Sequence, residues 1–236
     1  MNGDVTDWKR RNRSFYYASA PEPDDPDLNP ATTALLVIDV QNTYLARPDR
    51  ATLSDPATLA DYDAWTPFHA RMNGTVIPNI AALLAECRSR GIECLFARIA
   101  CQTRDGRDRS LSQKKPGFNN LLLPKDEWPS QIVPELAPRG DEITVTKTTD
   151  SALTGTNLRL ILHNLGIRTV ICAGIFTDQC VASTVRSLAD ESFDVVVIED
   201  ACAAATMELH EAELRIVNMI YCNVMATQEL RALLPR

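Results

Sequence analysis

"RTVICAGIFTDQCVASTVRSLADESFDVVVIED", residues 168–200, decides the fold. "RTVICAG" (168–174) is an apolar run of strand length. "TDQCVASTVRSLADE" (177–191) has helical character, and "FDVVVIED" (193–200) is again a β-branched, apolar strand. A strand, a helix and a strand in succession make a right-handed crossover with the two strands parallel. Cys180 lies at the start of the helix. It is either a reactive nucleophile or one more core thiol in a chain with seven cysteines.

The same alternation extends in both directions. "ALLVID" (34–39) is a strand, "NGTVIPNIAALLAECRSRG" (73–91) an amphipathic helix with Gly91 as its C-cap, and "IECLFARI" (92–99) a strand. A long polar loop covers about 100–140. "EITVTK" (142–147) is a strand, "TNLRLILHNLG" (156–166) a helix, "TMELHEAELRIVNMIY" (206–221) a helix and "CNVMAT" (222–227) a last short strand. The pattern predicts an α/β domain over 31–236 with a mostly parallel sheet. Residues 1–30 are polar, with Pro21, Pro23, Pro26 and Pro30. They read as an N-terminal arm without regular structure, available to pack on a neighbouring subunit.

Composition narrows the function classes. The 236 residues are 45% hydrophobic, enough for a sizeable core, and the net charge is -7. An acidic chain argues against nucleic acid or an anionic membrane as partner. No apolar run reaches the ~20 residues that span a bilayer, and "MNGDVTDWKRRNRSFYY" (1–17) has no apolar signal region. Seven cysteines in irregular spacing, with no C-x-x-C pair, argue against a disulfide framework and for a reducing cytoplasm.

Ligands of open parallel sheets bind beyond the carboxyl ends of the strands. Strand 34–39 ends in Asp39 and strand 142–147 in Lys147, while strand 168–174 runs into the turn before Cys180. Taken singly, Asp39 is as well explained as a cap, Lys147 as a solvated strand end and Cys180 as core. Taken together they make chemical sense. A helix N-terminus favours a thiolate, and Thr177 or Asp178 is available as the N-cap. Asp39 is placed to take the thiol proton and return it to a leaving amine, with Lys147 holding Asp39 ionised. Gln41, two residues after Asp39, shares its face in an extended segment and is placed to meet substrate or orient the acid.

These residues resemble the isochorismatase-like cysteine hydrolases, a superfamily that includes nicotinamidases, N-carbamoylsarcosine amidase, and biuret and ureidoacrylate hydrolases. "LLVIDVQN" (35–42), "KTTDSALTGTNL" (147–158), "GIFTDQCVASTVRSLAD" (174–190) and "VVVIEDACAA" (195–204) carry the likeness, which covers about 33–230. The resemblance implies a three-layer αβα fold with a six-stranded parallel sheet in Rossmann-like order, and assembly as a homodimer or homotetramer. It implies Asp39 as acid–base, Lys147 as the triad lysine and Cys180 as nucleophile. It also implies a non-proline cis bond at Ile175–Phe176, with the N–H groups of Phe176 and Cys180 facing the oxyanion. The reaction so implied is hydrolysis of a small molecule through a thioester, without cofactor.

Nicotinamidases carry a metal site of Asp and His residues after the first strand. The matching stretch here, 46–70, has only His69, so no metal is expected. Retention of Cys180 favours amide, ureide or carbamoyl chemistry over vinyl-ether cleavage of the isochorismatase kind, which stays as the alternative, together with a non-catalytic binding role. Between Arg104 and Lys115 the loop "TRDGRDRSLSQKKPGF" (103–118) has five positive and two negative side chains. It is either a self-paired solvated loop or a rim that offers Arg104, Arg107 or Arg109 to a substrate oxygen. Phe118, Tyr44 and Phe176 are candidate apolar walls for a small flat substrate.

Overall fold

β1 (Thr33–Ile38) and β4 (Thr169–Ile175) are buried at every position. Such strands show no polar alternation because both faces of their sheet are covered. In the computed structural model, which describes residues 7–117 and 120–235, they are the two central strands of a six-stranded parallel sheet. The other strands are β2 (Glu93–Ile99), β3 (Thr144–Lys147), β5 (Asp194–Ala203) and β6 (Asn223–Met225), in the order β3-β2-β1-β4-β5-β6. This is the doubly wound order expected. Its direction of winding reverses between β1 and β4, which opens a crevice at their carboxyl ends.

The helices cover both faces. α1 (Asn42–Leu45), α2 (Pro56–Ala64), α3 (Thr66–Arg71) and α4 (Ile77–Arg90) precede β2. α5 (Leu158–Asn164) and α6 (Ala182–Asp190) flank β4, and α7 (Met207–Val217) and α8 (Thr227–Leu233) flank β6. Leu35 and Val37 of β1 join a core with Ile80, Leu83 and Leu84 of α4 and Leu230 of α8. Ala34, Leu36 and Ile38 join the other core, with residues of α5, α6 and α7. The period of two along β1 thus separates the cores and gives three layers.

Several boundaries differ from the sequence-based expectation, for identifiable reasons. The helix expected from 73 begins as a π turn, Met72–Val76, and becomes α-helical only at Ile77. Pro78 has no N–H for the α-helical ladder there, and a wider turn accommodates the gap. α2 buries none of its residues, so it carries no apolar periodicity to detect. The last strand ends at Met225, and Thr227 opens α8; Asp200 accepts from both the Thr227 N–H (2.8 Å) and its hydroxyl (2.7 Å).

The N-terminal segment is also less irregular than expected. It has two 3-10 turns, Asp7–Lys9 and Phe15–Tyr17, and lies on its own chain. Trp8 is buried in the core with Leu230, and its backbone N–H donates to Glu229 Oε1 at 2.9 Å. Arg11 joins Glu229 (2.5 Å) and Glu199 (2.9 Å), and Thr169 Oγ1 donates to the Asp27 carbonyl at 2.8 Å. A buried indole gives the segment a fixed seat that its proline-rich composition does not advertise.

Candidate active site

Gly174 lets the site assemble. It has φ +123°, and a Cβ there would stand 2.0 Å from the Ile38 carbonyl oxygen. Only glycine permits this approach of β4 to the end of β1. The next residue of β1's chain, Asp39, has φ +54°, a left-handed conformation that aspartate tolerates better than most residues. Asp39 N–H donates to the Ala97 carbonyl at 2.9 Å, and the Gln41 N–H donates to the Asp39 carbonyl at 2.8 Å. The Gln41 side chain then ties β1 to β2. Its amide donates to the carbonyls of Ile99 (2.9 Å) and Ser130 (2.8 Å) and accepts from the Ile99 N–H (2.9 Å).

After Gly174 the Ile175–Phe176 bond is cis. The chain continues into a π turn, Thr177–Val181, ahead of α6. This turn carries Cys180. Neither Thr177 nor Asp178 is its N-cap; Phe176 holds that position without a side-chain bond. Thr177 Oγ1 instead pairs with His210 Nδ1 on α7 at 2.7 Å. Arg71 Nη2 donates to His210 Nε2 at 3.1 Å and to the Glu199 carbonyl at 2.9 Å. A guanidinium only donates, so Nε2 accepts and the proton sits on Nδ1, donated to Thr177. Burial, with Arg71 alongside, brings the His210 pKa down to about 4.

Asp39, Lys147 and Cys180 meet at the bottom of a cavity of about 430 Å³. Lys147 Nζ lies 2.6 Å from Asp39 Oδ2, donates to Cys180 Sγ at 3.3 Å and to the Thr149 carbonyl at 3.2 Å. All three are buried, Lys147 completely. No hydrogen bond meets Asp39 Oδ1 among the described residues, although Asp39 lines the cavity.

The electrostatics follow from this burial. Desolvation pushes the Asp39 carboxyl up, opposed by Lys147 and the Cys180 thiol. Desolvation works against the Lys147 charge, but Asp39 and then Cys180 outweigh it, and its pKa is raised. Burial, with Asp39 acting in the same direction, pushes the Cys180 thiol well above its ordinary value; Lys147 only partly opposes this. The turn therefore does not hold a thiolate at rest, as the helix-terminus argument anticipated. It holds a neutral thiol beside an ammonium and a carboxyl group with a raised proton affinity.

The other candidate residues divide. Tyr44 and Phe176 line the cavity, with ring centroids 5.3 Å apart in a T-shaped contact. Burial, then Asp39, pushes the Tyr44 phenol up, so it remains a neutral hydroxyl. Gln41 is fully buried, bonded to backbone, and not part of the lining. Arg107 pairs on the surface with Asp105 at 3.1 Å. Arg109 is spent on carbonyls of its own loop, Gly106 (2.9 Å) and Gln113 (3.1 Å) among them. Arg104 is exposed, and none of these arginines lines the cavity. Phe118 lies outside the described residues. Asp150, Asp178 and Ser183 line the cavity too. Asp150 Oδ1 is 4.0 Å from Cys180 Sγ. Its only sequence signal was a position three residues after Lys147, within a motif already marked. Among the described residues no group of three His, Cys, Asp or Glu is disposed to hold a metal ion, and no helix is long and apolar enough to cross a membrane.

A six-stranded doubly wound parallel sheet, with a buried aspartate, lysine and cysteine brought together at its switch point, defines the class: an α/β protein of the open-sheet type. Comparison narrows this to a family: the Isochorismatase domain model matches residues 33–229, and the chain belongs to that family. A ureidoacrylate amidohydrolase RutB from Pantoea ananatis is 30% identical, covering 80% of this chain and 76% of its own. One from Acinetobacter baylyi is 26% identical over 97% of this chain and 94% of its own. The crystal structure of an isochorismatase-like hydrolase from Alkaliphilus metalliredigens is 27% identical, with a TM-score of 0.63 over 86% of this chain and 99% of that one.

Proposed function

We propose that this protein is an amidohydrolase that cleaves a C–N bond in a small amide, ureide or N-carbamoyl compound through a Cys180 thioester. The observation that carries the reading is Lys147 Nζ held between Asp39 Oδ2 and Cys180 Sγ at the bottom of a cavity. Similarity to ureidoacrylate amidohydrolases supports the C–N hydrolase class.

Cys180 Sγ attacks the carbonyl carbon, and its proton passes to Asp39. The carbonyl oxygen becomes an oxyanion facing the N–H groups of Phe176 and Cys180. The intermediate collapses, the C–N bond breaks, and Asp39 returns the proton to the departing nitrogen. Water then attacks the thioester while Asp39 accepts its proton; the C–S bond breaks, and Asp39 passes that proton to the departing Cys180 thiolate, which restores the resting thiol and carboxylate. Lys147 stays protonated throughout, balancing whichever of Asp39 and Cys180 is ionised. A neutral resting thiol suits this sequence, because proton transfer accompanies attack.

The test is ammonia release from a panel of biuret, carbamoyl amino acids, ureidoacrylate, nicotinamide and simple amides, by wild type and Cys180→Ala, with and without chelator. Turnover that needs Cys180 and survives the chelator is expected for at least one compound. Activity that persists in Cys180→Ala would sink the thioester.

A further inference from the structure

The polar lining of the cavity is carboxylate-rich. Asp39, Asp150 and Asp178 all contribute to it, and no arginine, lysine or histidine does among the described residues. The one cation at its floor is used up. An ammonium has three hydrogens, and Lys147 meets Asp39, Thr149 and Cys180 with them. Neither Asp150 nor Asp178 has an ion-pair partner among the described residues. Among the described residues of the lining, Oδ1 of Asp39, a residue only 2% exposed, and Oδ1 of Asp178 are shielded from solvent without a hydrogen-bond partner, while Asp39 Oδ2 is held by Lys147. Buried acceptors without donors are costly unless a ligand supplies the donors.

Other cations lie outside this lining. Arg47 borders a separate hollow behind Tyr44 and Phe176, with its guanidinium stacked 3.4 Å over the Tyr62 ring. Arg107 and Arg109 are engaged as described above. A substrate carboxylate entering this cavity would face Asp150 and Asp178 with no fixed cation to receive it, and in a desolvated site that repulsion is strong.

We infer that the site selects a non-anionic, N–H-rich substrate: a neutral ureido, carbamoyl or amide compound, or one with a distal ammonium or guanidinium group. Its N–H groups donate to Asp150 and Asp178 while its carbonyl meets Cys180. The ranking is cation over neutral over anion. This rests on the cysteine-hydrolase reading, and it departs from the anionic substrate for which the ureidoacrylate amidohydrolases are named.

The experiment does not need turnover. Cys180 is modified with three methanethiosulfonates of similar reach: 2-aminoethyl (cationic), methyl (neutral) and 2-sulfonatoethyl (anionic). Each rate is followed on the Cys180 peptide by mass spectrometry and divided by the reagent's rate with 2-mercaptoethanol. The expected normalised cation-to-anion ratio is about tenfold or more, shrinking with added salt. In an Asp150→Asn, Asp178→Asn variant the ratio should fall toward unity. A wild-type ratio at or below unity overturns the inference and leaves the hydrolase reading intact. Complete resistance of Cys180 to all three reagents overturns both, because a nucleophile must be reachable.

Discussion

His210 should make the fold acid-labile through the turn that carries Cys180. Its neutral ring is clamped between Arg71 and Thr177, and protonation would place a second positive charge against the guanidinium. The folded pKa is about 4 against an ordinary 6.5. The native state therefore binds fewer protons than the unfolded chain between these values. The stability involved is fully present above about pH 6.5 and is lost as pH falls toward the folded pKa. At 1.36 kcal/mol per unit, the full difference is about 3.4 kcal/mol, of which about 2 kcal/mol is lost by about pH 5. Urea unfolding at about pH 7.5 and about pH 5, for wild type and His210→Asn, isolates the effect, since other groups titrate alike in both. Wild type should lose about 2 kcal/mol more than the variant over that interval. Equal losses would refute the assignment of a neutral, clamped imidazole.

The remaining expectations concern the site and its supports. Asp39→Asn leaves Lys147 buried without its counter-charge and should cost about 3–5 kcal/mol, with part of the loss recovered in Asp39→Asn, Lys147→Met; denaturation of the single and double variants reads this. Gly174→Ala brings a Cβ to 2.0 Å from the Ile38 carbonyl at a positive φ. It should lower stability by more than about 2 kcal/mol and abolish turnover, as thermal melts and the ammonia assay would show. Gln41→Ala removes three bonds to Ile99 and Ser130 and should cost about 2–3 kcal/mol in the same melts. Trp8→Ala, at a site 2% exposed, should cost about 3–5 kcal/mol. A loss below about 1 kcal/mol there would mean the N-terminal segment is not seated on its own core.

The sequence alone determined the succession of the six strands and of the four longer helices between them, because fully apolar runs such as Leu35–Ile38 and Val195–Ile198 have only one use in an α/β chain. It also brought forward Asp39, Lys147 and Cys180, because reactive types stood at strand ends where such sheets bind ligands. Tertiary structure decided what no local pattern encodes. Burial from every side makes Cys180 a neutral thiol, although a helix start by itself argues for a thiolate. Gln41 shares a sequence face with Asp39, yet the positive φ of Asp39 turns it away into the backbone of β2 and the Ser130 loop. The arginines of 104–109 look like an anion rim in sequence, but loop carbonyls and Asp105 take up Arg109 and Arg107. In sequence Asp150 is an ordinary residue after a strand and Asp178 no more than a candidate helix cap. They become the charge of the cavity because two chain segments far apart in sequence converge on one thiol, and charge acts through space rather than along the chain.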